Sequence, residues 1–126
     1  MRVLLDTVVF IWAVDSPERI SKRAMAVLQK DNALREMSVV SLSEIAIKQT
    51  RGKLIFREED VLLGIAALQL RVLPYTVEHA RRLFGLPPHH SDPFDRQIIA
   101  QALAEDIPIV TADEQFRLYK GIEIIW

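Results

Sequence analysis

From Val3 to Val14 the chain reads VLLDTVVFIWAV, and only Asp6 and Thr7 break its apolar character. A stretch this apolar has no face to give to solvent, so whatever it forms must be covered on all sides. Arg2–Leu5 reads as a short buried strand, and Thr7 caps a helix running to about Val14. A strand covered on both faces belongs to a parallel sheet with helices above and below it. The same stretch places a carboxylate in the interior. An unpaired buried charge is strongly unfavourable, so Asp6 is expected to be neutralised, paired or bound to a metal.

The rest of the chain repeats the strand–helix alternation. Ser21 caps a helix to about Lys30, with Ala24, Val27 and Leu28 on one face. Met37–Val40 is a strand, and Ser41 begins a helix through about Thr50 that Gly52 ends. Glu58 to about Leu70 is helical, Arg71–Leu73 is a strand, and Thr76 caps a helix ending near Gly85. After the loop LPPHHS, Asp92-Pro93 supplies an N-cap and a first-turn proline for a helix to about Glu105. Ile107–Val110 and Ile122–Ile125 are the last strands, with a short helix between them. No strand shows period-two patterning. The expected fold is therefore α/β, a three-layer α/β/α sandwich around a short, mainly parallel sheet of four or five strands, with right-handed crossovers. Its 126 residues suit one domain spanning 1–126.

In such a fold the carboxyl ends of strands and the amino ends of helices share one edge, where open α/β sheets bind ligands. Four acids map there: Asp6 at the end of the first strand, Glu44 early in the helix after the second, Asp95 in the first turn of the helix before the fourth, and Asp113 after the fourth. Each has a local explanation. Ser41-x-x-Glu44 fits a capping box, Glu44 and Lys48 fit an i,i+4 ion pair, Asp95 suits a helix dipole, and Asp113 can cap the short helix. Asp95, however, aligns with Ile98, Ile99 and Ala102, along the apolar stripe. The four together are harder to explain locally. Two carboxylates ~5 Å apart repel by roughly 3 kcal/mol at an effective dielectric of 20. Four in one cleft either raise their pKa values or hold a cation. Oxygen-only ligands suit Mg²⁺ or Mn²⁺, and such a centre performs phosphoryl transfer or phosphodiester hydrolysis.

Composition narrows the alternatives. A formal net charge of −1 gives no global attraction to nucleic acid, so any such contact is local. With no cysteine there is neither a disulfide nor a thiolate zinc site, which fits a reducing cytoplasm. The N-terminal run lacks the basic segment and cleavage site of a signal peptide, and no apolar stretch is long enough to span a bilayer.

The segments LLDT, SVVSLSEIAIK, DPFDRQIIAQA and IVTAD resemble, in order and along the whole chain, the motifs of PIN-domain ribonucleases, nearest the VapC-type toxins of toxin–antitoxin pairs. The resemblance implies an endoribonuclease whose quartet Asp6, Glu44, Asp95 and Asp113 chelates Mg²⁺ or Mn²⁺. It implies that Thr111 orients Asp113 or a water, and that the protein forms a homodimer inhibited by a VapB-type antitoxin. Glu58–Leu70 and the first helix would wall the antitoxin's groove. Two positions depart from the family pattern. Val8 stands where relatives often have His, and Ser43 where many have an aromatic residue.

Other features have weaker readings. Lys48, Arg51, Lys53 and Arg57 form a basic run, either a solvated face or a rim for the RNA backbone. His89 and His90 are expected in an exposed loop where either contacts RNA phosphate; Asp92 caps its helix or supports the ligands; Arg96 pairs with an acid or touches phosphate. Phe10 and Trp12 suit the core or a dimer contact. One rival reading is a catalytically silent PIN-like module that only binds an antitoxin-like partner. Another is a receiver-like phosphoacceptor, which needs paired acids after the first strand and a late lysine that Asp6-Thr7 and IEIIW do not supply. Four scattered glycines make no phosphate-cradling loop.

Overall fold

The computed structural model describes residues 1–126. Five strands form one sheet: β1 (Arg2–Leu5), β2 (Leu34–Ser38), β3 (Arg71–Leu73), β4 (Ile109–Val110) and β5 (Ile124–Ile125). Their order across the sheet is β3-β2-β1-β4-β5, and every neighbouring pair is parallel. Six helices pack around the sheet: α1 (Thr7–Asp15), α2 (Lys22–Leu28), α3 (Val39–Thr50), α4 (Glu58–Ala67), α5 (Val77–Arg81) and α6 (Pro93–Glu105). The expected α/β class holds, and the sheet is wholly rather than mainly parallel.

The core has two layers. One joins β1 to α1, α2, α3 and α4 through Val3, Leu5, Phe10, Ala24, Ile45 and Val61. The other joins the opposite face to α6 through Leu4, Ile98, Ile99, Ile109 and Phe116. Alternation along β1 sends Val3 and Leu5 to one layer and Leu4 to the other, as a doubly covered strand requires. Phe10 is fully buried, whereas Trp12 is half-buried against Trp126 and beneath the Arg19 guanidinium. No helix is long and apolar enough to cross a membrane. An apolar groove of about 370 Å³ lies between α3 and α4, lined by residues including Leu42, Ile45, Phe56 and Leu62. Its walls are thus α3 and α4, and α1 does not line it.

Two boundaries differ from the sequence expectation in ways that move site residues. β2 begins at Leu34 and ends at Ser38, because residues 34–37 pair in register with Arg2–Leu5. Arg35 and Glu36 hid its start, since a buried glutamate reads as a loop until its partner, Arg2 on the neighbouring strand, is in view. α3 consequently starts at Val39, with the Ser38 hydroxyl accepting from the Val40 N–H at 3.0 Å. Ser41 therefore lies inside the helix rather than capping it, and Glu44 falls in the second turn. Asp6, not Thr7, caps α1.

Candidate metal centre

In a sheet of this strand order the chain departs from β1 in both directions, so a crevice opens beyond the carboxyl ends of β1 and β4. Asp6 follows β1 and Asp113 follows β4. α3 and α6 bring Glu44 and Asp95 to the same place. The result is a cleft of about 280 Å³ lined by Asp6, Glu44, Asp92, Asp95 and Asp113, with Val8, Lys48 and Ala112. All four acids placed at this edge by sequence meet in it.

Each carboxylate is held differently. Asp6 is buried; its Oδ1 accepts from the Val9 N–H at 2.8 Å and its Oδ2 from the Thr111 hydroxyl at 2.6 Å. Asp6 thus both caps a helix and lines the cleft, one oxygen starting α1 and the other tied to β4. Thr111 Oγ1 also accepts from the Asp113 N–H at 3.0 Å, so one hydroxyl fixes the spacing of two acids. Glu44 is buried on α3; its Oε1 accepts from the Thr7 hydroxyl at 2.6 Å and its Oε2 from the Lys48 ammonium. Asp113 Oδ1 accepts from the Gln115 N–H at 2.9 Å, and Oδ2 lies 3.1 Å from His90 Nε2. Asp95 is half-buried, and its carboxylate makes no hydrogen bond to the protein.

These surroundings set the electrostatics. Burial pushes the Asp6 carboxyl up to about 6; the hydrogen bonds from Thr111 and Val9 oppose the rise, and Glu44 and Asp113 add to it. Asp95 is pushed up to about 7, first by burial and then by repulsion from Asp92, Glu44, Asp6 and Asp113. Burial works against the charge on Lys48, but Glu44, Asp92 and Asp95 outweigh it and keep the ammonium above its usual pKa. The cleft therefore gathers five carboxylates around one lysine. Oxygen donors in this number, one of them without a partner, suit a hard divalent cation.

The residues given lesser roles separate into four groups. Lys48 and Asp92 line the cleft, 3.9 Å apart, and Asp92 caps α6 by accepting from the Phe94 N–H at 2.8 Å. Arg51, Lys53 and His89 are exposed and do not line it. Arg96 is occupied structurally, donating to the carbonyls of Pro87 and Leu86 at 2.8 and 3.1 Å. His90 departs from expectation. It is not exposed as a loop histidine would be, but buried against Tyr119 and Phe116, with its ring aimed at Asp113. His90, Asp95 and Asp113 offer ligand atoms within 4.8 Å of one another.

Sequence reasoning missed Thr7 as a support for Glu44 and Tyr119 as a support for His90. Thr7 had a visible signal, being the second polar residue in the same buried run as Asp6. Tyr119 had none, because it meets His90 across 29 residues of chain.

A family model described as PIN domain matches residues 3–122. No curated protein sequence matches the chain. Among solved structures, a chain from VapBC2 of Rickettsia felis, bound to a DNA fragment from its promoter, is 14% identical with a TM-score of 0.72, covering 98% of this chain and 97% of that one. A chain of DNA-bound VapBC from Salmonella typhimurium is 18% identical with a TM-score of 0.66, covering 98% and 96%. A chain of VapBC-5 from Mycobacterium tuberculosis is 22% identical with a TM-score of 0.62, covering 98% and 97%. At these identities the likeness is one of fold.

Proposed function

The chain belongs to the PIN domain family, and from that premise we propose that it is a metal-dependent endoribonuclease, the toxin of a toxin–antitoxin pair. The observation that carries the reading is the imbalance of charge in the cleft. Five carboxylates face one lysine, and Asp95 stands among them without a partner. Elsewhere in the molecule the buried acid Glu36 is met by Arg2, so this chain does neutralise a buried carboxylate where no ligand is needed.

Asp6, Glu44, Asp95 and Asp113 would hold Mg²⁺ or Mn²⁺. Such an ion, when bound, makes a nucleophile of coordinated water and offsets charge on the scissile phosphate. The chain's own groups do the rest. Thr111 keeps Asp6 and Asp113 in register, Thr7 aims Glu44, and Asp95 holds a proton near neutral pH until a cation replaces it. Lys48 moderates repulsion among the carboxylates and offers a cation to an RNA phosphate at the cleft's rim. Arg51, Lys53 and His89, exposed beyond the cleft, serve the RNA backbone electrostatically.

The likeness to chains of VapBC complexes supports a VapB-type antitoxin as partner, with an apolar segment in the groove between α3 and α4; a homodimer as the toxin's own state rests on the motif resemblance alone. Co-purification with the neighbouring gene product is the expected outcome for the antitoxin.

The test is cleavage of RNA by purified, antitoxin-free protein with Mg²⁺, Mn²⁺ or EDTA. Metal-dependent cleavage is expected. Asp6→Asn keeps the capping oxygen and should lose more than about 100-fold, beyond the 10–100-fold typical of residues that only support a ligand. Undiminished cleavage by Asp6→Asn would refute the ligand assignment. Folded wild-type protein that cleaves no RNA would favour the silent binding module.

A further inference from the structure

We propose that His90 is a positioning residue that aims the Asp113 carboxylate into the acidic cleft, with Tyr119 fixing both its ring and its tautomer; this rests on the metal-centre reading above. The placement of the ring is over-determined. His90 is 6% exposed, lies 5.5 Å from the Tyr119 ring at an interplanar angle of 14°, and meets Phe116 edge-on at 4.9 Å. Its backbone N–H donates to the Tyr119 hydroxyl at 3.0 Å, and its Nδ1 lies 3.1 Å from the same oxygen.

Counting protons at that oxygen decides the tautomer. The backbone N–H can only donate, so the one acceptor within reach of the Tyr119 O–H is Nδ1. Tyr119 is 3% exposed, which leaves water little access to serve instead. Nδ1 therefore accepts, and the ring proton sits on Nε2, 3.1 Å from Asp113 Oδ2. A protonated Nε2 has no lone pair for a metal. Although it lies within 4.8 Å of ligand atoms on Asp95 and Asp113, it is a donor to the ligand and not itself a ligand. Together with the Gln115 N–H on Oδ1, it fixes both oxygens of Asp113 and leaves the donor set all-oxygen. The loop that carries His90 is anchored at its start by Arg96, which grips the Leu86 and Pro87 carbonyls.

Two measurements test this. ¹⁵N NMR of the metal-free protein reads the His90 tautomer directly, and the Nε2–H form is expected. Mn²⁺ titration of wild type, His90→Ala, His90→Gln and Tyr119→Phe reads the aim of Asp113, with folding of each checked by circular dichroism. His90→Ala should weaken Mn²⁺ binding by about 10–100-fold. His90→Gln, which can place an N–H near the same point, should recover most of it, and Tyr119→Phe should fall between. The Nδ1–H form, unchanged affinity in His90→Ala, equal loss in His90→Ala and His90→Gln, or ¹⁴N coupling from His90 to bound Mn²⁺ would each overturn the proposal. Wild-type protein that binds no Mn²⁺ would instead overturn the metal centre, and the role of His90 with it.

Discussion

Asp6 and Asp95 show how a residue proposed as a metal ligand is costly to the fold. Burial pushes both carboxyls well above the ordinary aspartate value of 3.8, to about 6 and about 7. Between those values and 3.8 the folded protein holds protons that the unfolded chain has released, so stability falls as pH rises through the window. For Asp6, moving from 3.8 to about 6 corresponds to roughly 3 kcal/mol. Metal-free wild type should therefore lose thermal stability relative to Asp95→Asn as pH is raised from about 5 to 8, and Mg²⁺ at pH 8 should restore wild type but not the variant. Parallel melting curves at both pH values would refute this. Binding of Mg²⁺ near pH 6.5 should also release protons, measurable by calorimetry in buffers of different ionisation enthalpy.

The two helices that wall the apolar groove, α3 and α4, end by two versions of one device. After α3, Gly52 sits at φ +69°, with its N–H bonded to the Gln49 carbonyl and the Lys53 N–H to that of Lys48. After α4, Gln69 sits at φ +52° with the same pair of bonds, to Ala66 and, from Leu70, to Ile65. The left-handed position costs a side chain about 1–2 kcal/mol and costs glycine almost nothing. Gly52→Ala should destabilise by about 1 kcal/mol, and Gln69→Gly should stabilise by a similar amount, less the exposed Arg35–Gln69 bond. Urea unfolding reads both, and a loss of stability in Gln69→Gly would contradict the argument. Gly64 is glycine for a different reason. α4 lies so close to α1 there that an added Cβ would come within 2.5 Å of Val14 and 3.1 Å of Phe10.

Across the whole molecule, the two edges of the sheet treat their acids oppositely. Near the amino ends of the strands, Glu36 is fully buried between Arg2 and the more distant Arg71, and Arg2 also reaches Glu105. His79, buried on α5, bonds Glu105 at 2.8 Å, and with Arg2 it holds that carboxyl below its usual pKa. This network ties β1, β2, α5 and α6 at the closed edge, while the acids at the open edge are left short of positive charge. Arg2→Ala would strand Glu36, and a loss of about 3 kcal/mol is expected from breaking a buried pair. Adding Glu36→Gln to Arg2→Ala should recover part of that loss. Because the network is remote from the cleft, Mn²⁺ affinity of folded Arg2→Ala should stay unchanged; a large drop would mean that the two edges are coupled.

The sequence by itself determined the α/β class, most element positions and the edge where the acids gather. Those follow from local physics: apolar runs without alternation, N-cap residues, and the rule that parallel strands end where helices begin. It also carried the PIN resemblance, since each of the four motifs is a contiguous segment. Only the tertiary structure decided the rest. The order β3-β2-β1-β4-β5 opens the crevice between β1 and β4, and no segment states its neighbours. The charged strand segment Arg35–Glu36 became legible only beside Arg2, and His90 turned inward only because Tyr119 and Asp113 were there to receive its two ring nitrogens. In each case a polar group's place depends on a partner far along the chain, and burial is favourable only once that partner is in contact.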